Sequence, residues 1–109
     1  MHELGIVQQV LEIVADRSRG AKVTHVVLEI GRLSAVLPDA VRFCFDVASE
    51  GTVAEGARLT ILETPGLGRC RECGGSVALD RPFGRCGCGC TDLEWLAGDE
   101  LRIKEMEVA

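Results

Sequence analysis

Cysteines are concentrated in one short stretch of this chain, and they constrain its fold more than any other feature. The 109-residue sequence contains six cysteines, and five of them lie between residues 70 and 90. In a small secreted protein such a density would indicate disulfide bonds, whereas paired cysteines in a chain without a signal peptide more often bind metal. The first basic residue is Arg17, so the N-terminus lacks the basic opening of a signal peptide. We therefore expect a cytoplasmic, metal-binding protein.

The spacing of the cysteines is typical of a zinc knuckle. Cys70 and Cys73 are separated by two residues and followed by two glycines, which permit a tight turn whose backbone N–H groups point at sulfur. A second cluster, containing Cys86, Cys88 and Cys90, begins after a spacer of twelve residues. Two such clusters joined by a short hairpin predict a tetrahedral four-thiolate Zn²⁺ site. Such a site is structural, because it leaves no open position for water.

The second cluster leaves the last ligands open, because three cysteines compete for two places. Any two of Cys86, Cys88 and Cys90 could complete the site. A redox dithiol or an iron–sulfur site is the rival interpretation of the same thiols. Cys44 is different, since it lies on the apolar face of a predicted helix and is interpreted as a small core residue.

Outside the cysteine-rich segment, hydrophobic periodicity predicts an α+β fold: a small sheet with two helices, carrying an inserted zinc-ribbon-like lobe. The glycine-rich stretch 65–68 is interpreted as a turn-rich boundary. The domain prediction is an α/β domain of residues 1–65 plus 99–109, with a lobe of residues 66–98. The predicted elements are helices over 3–18 and 38–50 and strands over 23–31, 57–63 and 100–108.

The last of these strands changes phase along its length. Leu101 and Ile103 share one phase, while Met106 and Val108 share the opposite one. This pattern predicts a bulge near residues 104–105, or a strand covered on both sides.

Charge and hydropathy limit the partners of the chain. The net charge is −5, which disfavours general binding to phosphate backbones. No stretch approaches the roughly 18 apolar residues of a membrane span. We therefore expect neither nucleic acid nor a membrane as a partner. The alternative hypothesis is a zinc-ribbon module that docks on protein or RNA through a local arginine cluster, formed by Arg69, Arg71, Arg81 and Arg85.

The N-terminus offers a second candidate metal site. His2 lies beside the α-amine of Met1 and two ionisable backbone amides, and these nitrogens can surround a metal in the planar geometry suited to Ni²⁺ or Cu²⁺. Glu3 could add a carboxylate ligand, or it could hold the other ligands in place without binding the metal. A histidine at position two is more often only a solvated terminal residue, so these residues by themselves carry little weight.

Several motifs resemble the HypA/HybF family of hydrogenase maturation factors, in order and across essentially the whole length. They are the opening Met-His-Glu-Leu, the stretch 27–34 (VLEIGRLS), Pro38, Phe43 and Phe45, the Cys70-x-x-Cys73 knuckle, and Leu93-Glu94 leading to Gly98-x-Glu100-Leu101-x-Ile103.

The resemblance implies a nickel metallochaperone rather than an enzyme. It implies a small α/β nickel domain with an inserted zinc lobe, in which His2 is the nickel ligand, Glu3 supports it, and four cysteines bind structural zinc. The implied partners are the maturation GTPase HypB and the precursor of the [NiFe]-hydrogenase large subunit, with a homodimer as a possible assembly. Some members of the family also serve urease.

One departure from the family concerns the second knuckle, which in the family reads Cys-Pro-x-Cys-Gly. Counting back from Leu93-Glu94 places its second cysteine on Cys88 and its first on Arg85. A neighbouring cysteine must substitute, and Cys86 is the choice if the loop has lost a residue, with Cys90 as the alternative.

Overall fold

A computed structural model describes residues 2–109 and shows two helices and six strands among them. Three strands form one sheet in the order β2-β1-β6, and three form a second sheet in the order β4-β3-β5. The α+β class predicted from periodicity is thereby confirmed. In chain order the elements are α1 (His2–Ser18), β1 (Val23–Gly31), α2 (Pro38–Ala48), β2 (Arg58–Thr64), β3 (Gly66–Cys70), β4 (Ser76–Leu79), β5 (Leu93–Ala97) and β6 (Leu101–Val108).

The described chain divides into two compact units. The first contains residues 2–28, 36–62 and 103–109, and it includes both helices. The second contains residues 29–35 and 63–102, and it includes all five clustered cysteines. The boundaries expected at 65/66 and 98/99 stay a prediction.

The helices of the first unit form because apolar residues recur along one face of each. On α1, Val7 and Val14 are completely buried, and further buried positions lie three and four residues away from each of them. On α2, Pro38 occupies the first turn, where its missing N–H costs nothing, and Val41 and Phe45 are buried. The two helices pack against each other. Within residues 2–109 there is no helix long and apolar enough to cross a membrane.

The predicted phase change in the last strand is visible in the side-chain contacts of β6. Arg102 Nε donates a hydrogen bond to Glu29 Oε1 at 2.6 Å, and Glu107 Oε1 lies 3.2 Å from His25 Nδ1. Glu29 and His25 share one face of β1, since they are four residues apart. Arg102 and Glu107 are five apart, so strict alternation would place them on opposite faces. The strand therefore slips in phase between them, as the sequence predicts.

The second unit contains a strand where the sequence analysis predicted a turn-rich boundary, and that prediction is wrong for β3. This glycine-rich strand is the central strand of its sheet and pairs antiparallel with both β4 and β5. Its glycines are required by close packing rather than by a turn. A Cβ added at Gly66 would lie 2.5 Å from the Leu79 carbonyl oxygen and 2.7 Å from Leu33 Cγ. Gly98, with φ +104°, has its backbone against Gly66 in the same way.

Trp95 is the only tryptophan of the chain, and it belongs to this second sheet. It lies on β5 opposite Gly68 of β3 and is 43% exposed. With Pro82 and Phe83 it lines a cavity of about 370 Å³. The exposed indole is thus attached to the lobe that carries the cysteines.

Candidate metal sites

Four cysteine sulfurs of the second unit lie together. The sulfurs are all within 4.8 Å of one another, and no other group of three or more potential ligands is found among residues 2–109. Two of the residues are buried and two are exposed, so the cluster has one side open to solvent. Its members are Cys70, Cys73, Cys86 and Cys88.

The distances within this cluster fit a tetrahedral ion. The Sγ atoms of Cys70 and Cys88 are 3.7 Å apart, and those of Cys73 and Cys86 are 3.4 Å apart. Tetrahedral zinc with Zn–S bonds of about 2.3 Å separates its sulfurs by about 3.8 Å. A disulfide would bring two sulfurs to about 2.0 Å. The four thiols are therefore spaced as ligands of one metal and not as two disulfides, and an all-sulfur donor set suits Zn²⁺.

The first knuckle is closed by hydrogen bonds to backbone and to sulfur. The N–H of Cys70 donates to the Gly75 carbonyl, and the N–H of Gly74 donates to the Cys70 carbonyl, both at 2.9 Å. The N–H groups of Cys73 and Gly75 donate to the sulfurs of Cys70 and Cys73, each at 3.4 Å. Hydrogen bonds, chiefly from the Cys73 N–H, together lower the pKa of the Cys70 thiol to about 6. This knuckle thus favours the thiolate that a metal requires.

The second knuckle repeats this pattern with one residue fewer. The N–H of Cys86 donates to the Cys90 carbonyl at 2.9 Å, and the N–H of Gly89 donates to the Cys86 carbonyl at 2.8 Å. Gly89 has φ +95° and Gly74 has φ +74°, so the two glycines occupy equivalent positions. Cys88 then corresponds to Cys73, and Cys90 corresponds to Gly75. A lost residue, as considered from the sequence, accounts for the irregular spacing.

The other two cysteines lie outside the cluster. Cys90 is half-buried, and its sulfur accepts the Asp92 N–H at 3.3 Å. Cys44 is buried on α2, where the sequence predicts a core residue. Geometry thus groups Cys86 and Cys88 with the first knuckle, while which thiols bind zinc stays a prediction.

The candidate nickel residues lie at the start of α1. Met1 is outside the described residues. The His2 side chain is 64% exposed, and its Nε2 lies 3.3 Å from Glu3 Oε2. Because α1 begins at His2, the N–H groups of its first residues have no intrahelical acceptor. The His2 imidazole is thus exposed at a helix start whose first amides make no intrahelical hydrogen bond.

Glu3 differs from His2 in being held in place. Its side chain is only 9% exposed, and Oε2 accepts the N–H of Leu37, the residue before α2, at 3.3 Å. Hydrogen bonds from the N–H groups of Glu3 itself and of Leu37 lower the pKa of this carboxyl. Glu3 is thus a fixed carboxylate beside the His2 ring. The Leu37 contact could not be foreseen from the sequence, because it joins residues 34 positions apart.

His25, the other histidine, is in a different environment. Its side chain is 13% exposed, with Nδ1 3.2 Å from Glu107 Oε1 and Nε2 2.7 Å from Thr60 Oγ1. Both ring nitrogens therefore have a partner across neighbouring strands. Of the two histidines, only His2 offers an accessible ring nitrogen.

Comparison with known proteins identifies the family. The family model described as "Hydrogenase/urease nickel incorporation, metallochaperone, hypA" matches residues 1–108. The chain belongs to the HypA family. Proteins of the HypA family are metallochaperones and not enzymes.

Individual HypA relatives match over nearly their whole length. The hydrogenase maturation factor HypA of Nostoc punctiforme is 59% identical over 108 residues, covering 99% of this chain and 96% of the relative. The protein of the same name from Trichormus variabilis is 58% identical with the same coverage. The solution structure of the Ni metallochaperone HypA from Helicobacter pylori is 23% identical, covers 97% of this chain and 96% of that one, and has a TM-score of 0.65. The fold is therefore a HypA fold.

The arginine cluster of the alternative hypothesis is not a continuous free surface. Arg71 Nε lies 3.1 Å from Asp92 Oδ1, and Arg69 faces Glu94 across the β3–β5 pair. Two of the four arginines therefore have a carboxylate nearby, and HypA membership favours the metallochaperone interpretation over an RNA-binding module.

Proposed function

We propose that this HypA-family chain binds Ni²⁺ at its N-terminus and delivers it for maturation of [NiFe]-hydrogenase. The nickel ligands are the Met1 amine, the imidazole of His2 and adjacent backbone amides. Glu3 does not bind the metal itself, and its carboxylate holds the His2 ring in place. The observation that carries this proposal is the family match over residues 1–108, combined with an exposed imidazole in the first turn of α1.

The chemistry of this terminus supports reversible binding. Amine, amide and imidazole nitrogens suit the planar geometry that Ni²⁺ adopts with nitrogen donors. The His2 side chain is exposed, so an acceptor protein can reach the ion. The Glu3 carboxylate is anchored to the Leu37 N–H, which limits the positions of the neighbouring ring. A chaperone needs this combination, because it must select its metal and then release it.

We propose that Cys70, Cys73, Cys86 and Cys88 hold a structural Zn²⁺. The sulfur spacing and the hydrogen bonds to the first knuckle support this assignment. Zinc would close the two knuckles and stabilise a sheet that has few buried aliphatic side chains. The four thiolates leave no open position for water, so the site holds structure and performs no reaction.

The proposed partners follow from the family. They are the HypB-type maturation GTPase and the precursor of the hydrogenase large subunit, in the cytoplasm. A homodimer stays a prediction of the sequence.

The deciding experiment measures nickel and zinc per chain on tag-free protein and on two histidine variants. Loss of a residue that only supports a metal ligand costs about 10–100-fold in affinity. His2→Ala removes a ligand itself, so it should lower nickel affinity by more than that. Zinc content and helicity should stay unchanged. His25→Ala is the matched control, since it removes the other imidazole and should leave nickel affinity intact.

A second variant tests the α-amine. Extra residues before Met1 move the free amine away from His2, so nickel affinity should fall as in His2→Ala. Unchanged nickel affinity in both variants would refute the terminal site.

A further inference from the structure

Cys90 is the one cysteine of the 70–90 segment that is not among the proposed zinc ligands. Its position in the second knuckle is informative. The paired backbone hydrogen bonds make Cys90 the counterpart of Gly75 in the first knuckle. A Cβ added at Gly75 would lie 3.3 Å from the Cys73 sulfur. A side chain at this knuckle position therefore projects beside the second ligand. In the second knuckle that side chain is a thiol, and the second ligand is Cys88.

The surroundings of the Cys90 sulfur resemble those of the ligands in the first knuckle. It accepts the Asp92 N–H at 3.3 Å, as Cys73 accepts the Gly75 N–H at 3.4 Å, in both cases from the residue two positions later. The backbone N–H of Cys90 in turn donates to the Cys88 sulfur. Each of these two neighbouring sulfurs thus accepts one backbone N–H, as the sulfurs of the first knuckle do.

Cys88 lies in an open part of the second knuckle. Cys88 is exposed and lies between Gly87 and Gly89, and a Cβ at either glycine would meet no atom within 4 Å. Cys86, in contrast, is buried. The exposed ligand of the second knuckle is thus two residues from the spare thiol, and its glycine neighbours have open space around them.

We propose that Cys90 is a stand-in ligand that exchanges with Cys88, so that zinc is held by Cys70, Cys73, Cys86 and either of these two thiols. The exchange forms one Zn–S bond and breaks another. Cys90 gives up its thiol proton on binding, and Cys88 takes one up on leaving, so no oxidant or reductant is involved. The inference rests on the proposed zinc site and extends it to a fifth residue.

The experiment compares zinc affinity in single and double variants, with Co²⁺ charge-transfer absorption counting the thiolates. Cys88→Ser and Cys90→Ser should each keep zinc within about tenfold of the parent and keep four thiolates on Co²⁺. The double variant should lose more than about a hundredfold in zinc affinity, which exceeds the cost of losing a residue that only supports a ligand. Cys73→Ser is the matched control, because glycines follow it and no spare thiol is available; it should lose as much as the double variant.

The outcomes separate the two proposals. If Cys73→Ser retains zinc, the zinc site itself is wrong. If Cys73→Ser loses zinc and Cys88→Ser loses it equally, whether by poor binding or by misfolding, the stand-in role is overturned.

A measurement on the unmodified chain tests exchange without any substitution. Thiol alkylation mapped by mass spectrometry should show that zinc slows the reaction of both Cys88 and Cys90. Buried Cys44 serves as the thiol that zinc should not affect. Reaction of Cys90 at the same rate with and without zinc would contradict the proposal.

Discussion

Glu100 joins three segments of the second unit through one residue. Its carbonyl accepts the Gly31 N–H at 2.7 Å, and its carboxylate Oε1 accepts the Gly98 N–H at 2.8 Å and the Thr64 hydroxyl at 3.3 Å. The N–H groups of Glu100 itself and of Gly98 lower the pKa of this carboxyl below its usual value. The ionised side chain thus provides the hydrogen-bond acceptor for the N–H of Gly98, whose φ is positive.

The lowered pKa of Glu100 predicts how its contribution to stability depends on pH. A carboxyl whose pKa is lower in the folded state stabilises the fold fully above its unfolded pKa, and this contribution is lost as the pH falls through the folded pKa. Glu100→Gln should therefore lower the melting temperature at pH 7, and the difference from the parent should shrink as the pH falls below about 4.

Thermal unfolding at several pH values measures this difference. Asp99→Asn is the matched control, because the neighbouring exposed carboxyl makes no side-chain hydrogen bond within residues 2–109, and it should change the melting temperature little at any pH. A Glu100→Gln effect that grows towards acid pH would contradict the assignment.

At the scale of single elements, α2 presents two phenylalanines in opposite environments. Phe45 is 1% exposed in the core of the first unit, whereas Phe43 is 70% exposed. They are two residues apart on one helix, so they lie on different faces. Both belong to the motifs that resemble the family, yet only one of them contributes to the core.

The same substitution at these two positions should therefore have unequal effects. Phe45→Ala should lower the free energy of unfolding by about 3–5 kcal/mol, because it removes buried surface and leaves a cavity. Phe43→Ala should change it by less than about 0.5 kcal/mol. Urea unfolding of zinc-loaded protein measures both values. Similar losses in the two variants would mean that Phe43 is buried in solution.

Hydrophobic periodicity predicted α1, β1, α2, β2 and β6 to within two residues of their observed ends. It succeeded there because each of these elements buries aliphatic side chains in a regular pattern. It failed for β3, whose alternating buried positions are Gly66, Gly68 and Cys70. Glycine carries no hydrophobic signal, so a strand that needs glycine for close packing looks like a turn.

The candidate sites were predictable to different degrees. The cysteine spacing indicated a four-thiolate site, and the family pattern pointed to Cys86 and Cys88, the pair that the structure places with the first knuckle. The roles of Leu37 and Glu100 were not predictable, because they depend on contacts between residues distant in the sequence. Such contacts become visible only when the fold is known.

At the scale of the whole molecule, the two units should respond differently to loss of zinc. The first unit buries many aliphatic residues, among them Val14, Leu28 and Phe45, whereas the second relies on a few residues such as Leu33 and Leu79. The second unit should therefore depend on metal for its fold and the first should not.

Removal of zinc with a chelator should test this difference. Amide hydrogen exchange should become fast in β3, β4 and β5, while α1 and α2 keep their protection and helical circular dichroism is retained. Re-addition of zinc should restore the slow exchange. Loss of protection in both helices at the same chelator concentration would contradict independent stability of the first unit.

Trp95 makes the two units of this protein distinguishable by optical spectroscopy. The chain has one tryptophan and no tyrosine, so its near-ultraviolet absorption and intrinsic fluorescence come chiefly from one half-exposed indole on β5. That indole lies in the unit that carries the cysteines, while both helices lie in the other. Emission therefore reports on the thiol-rich lobe and far-ultraviolet dichroism reports mainly on the helices. The two halves of the protein can be followed in one sample without any added label.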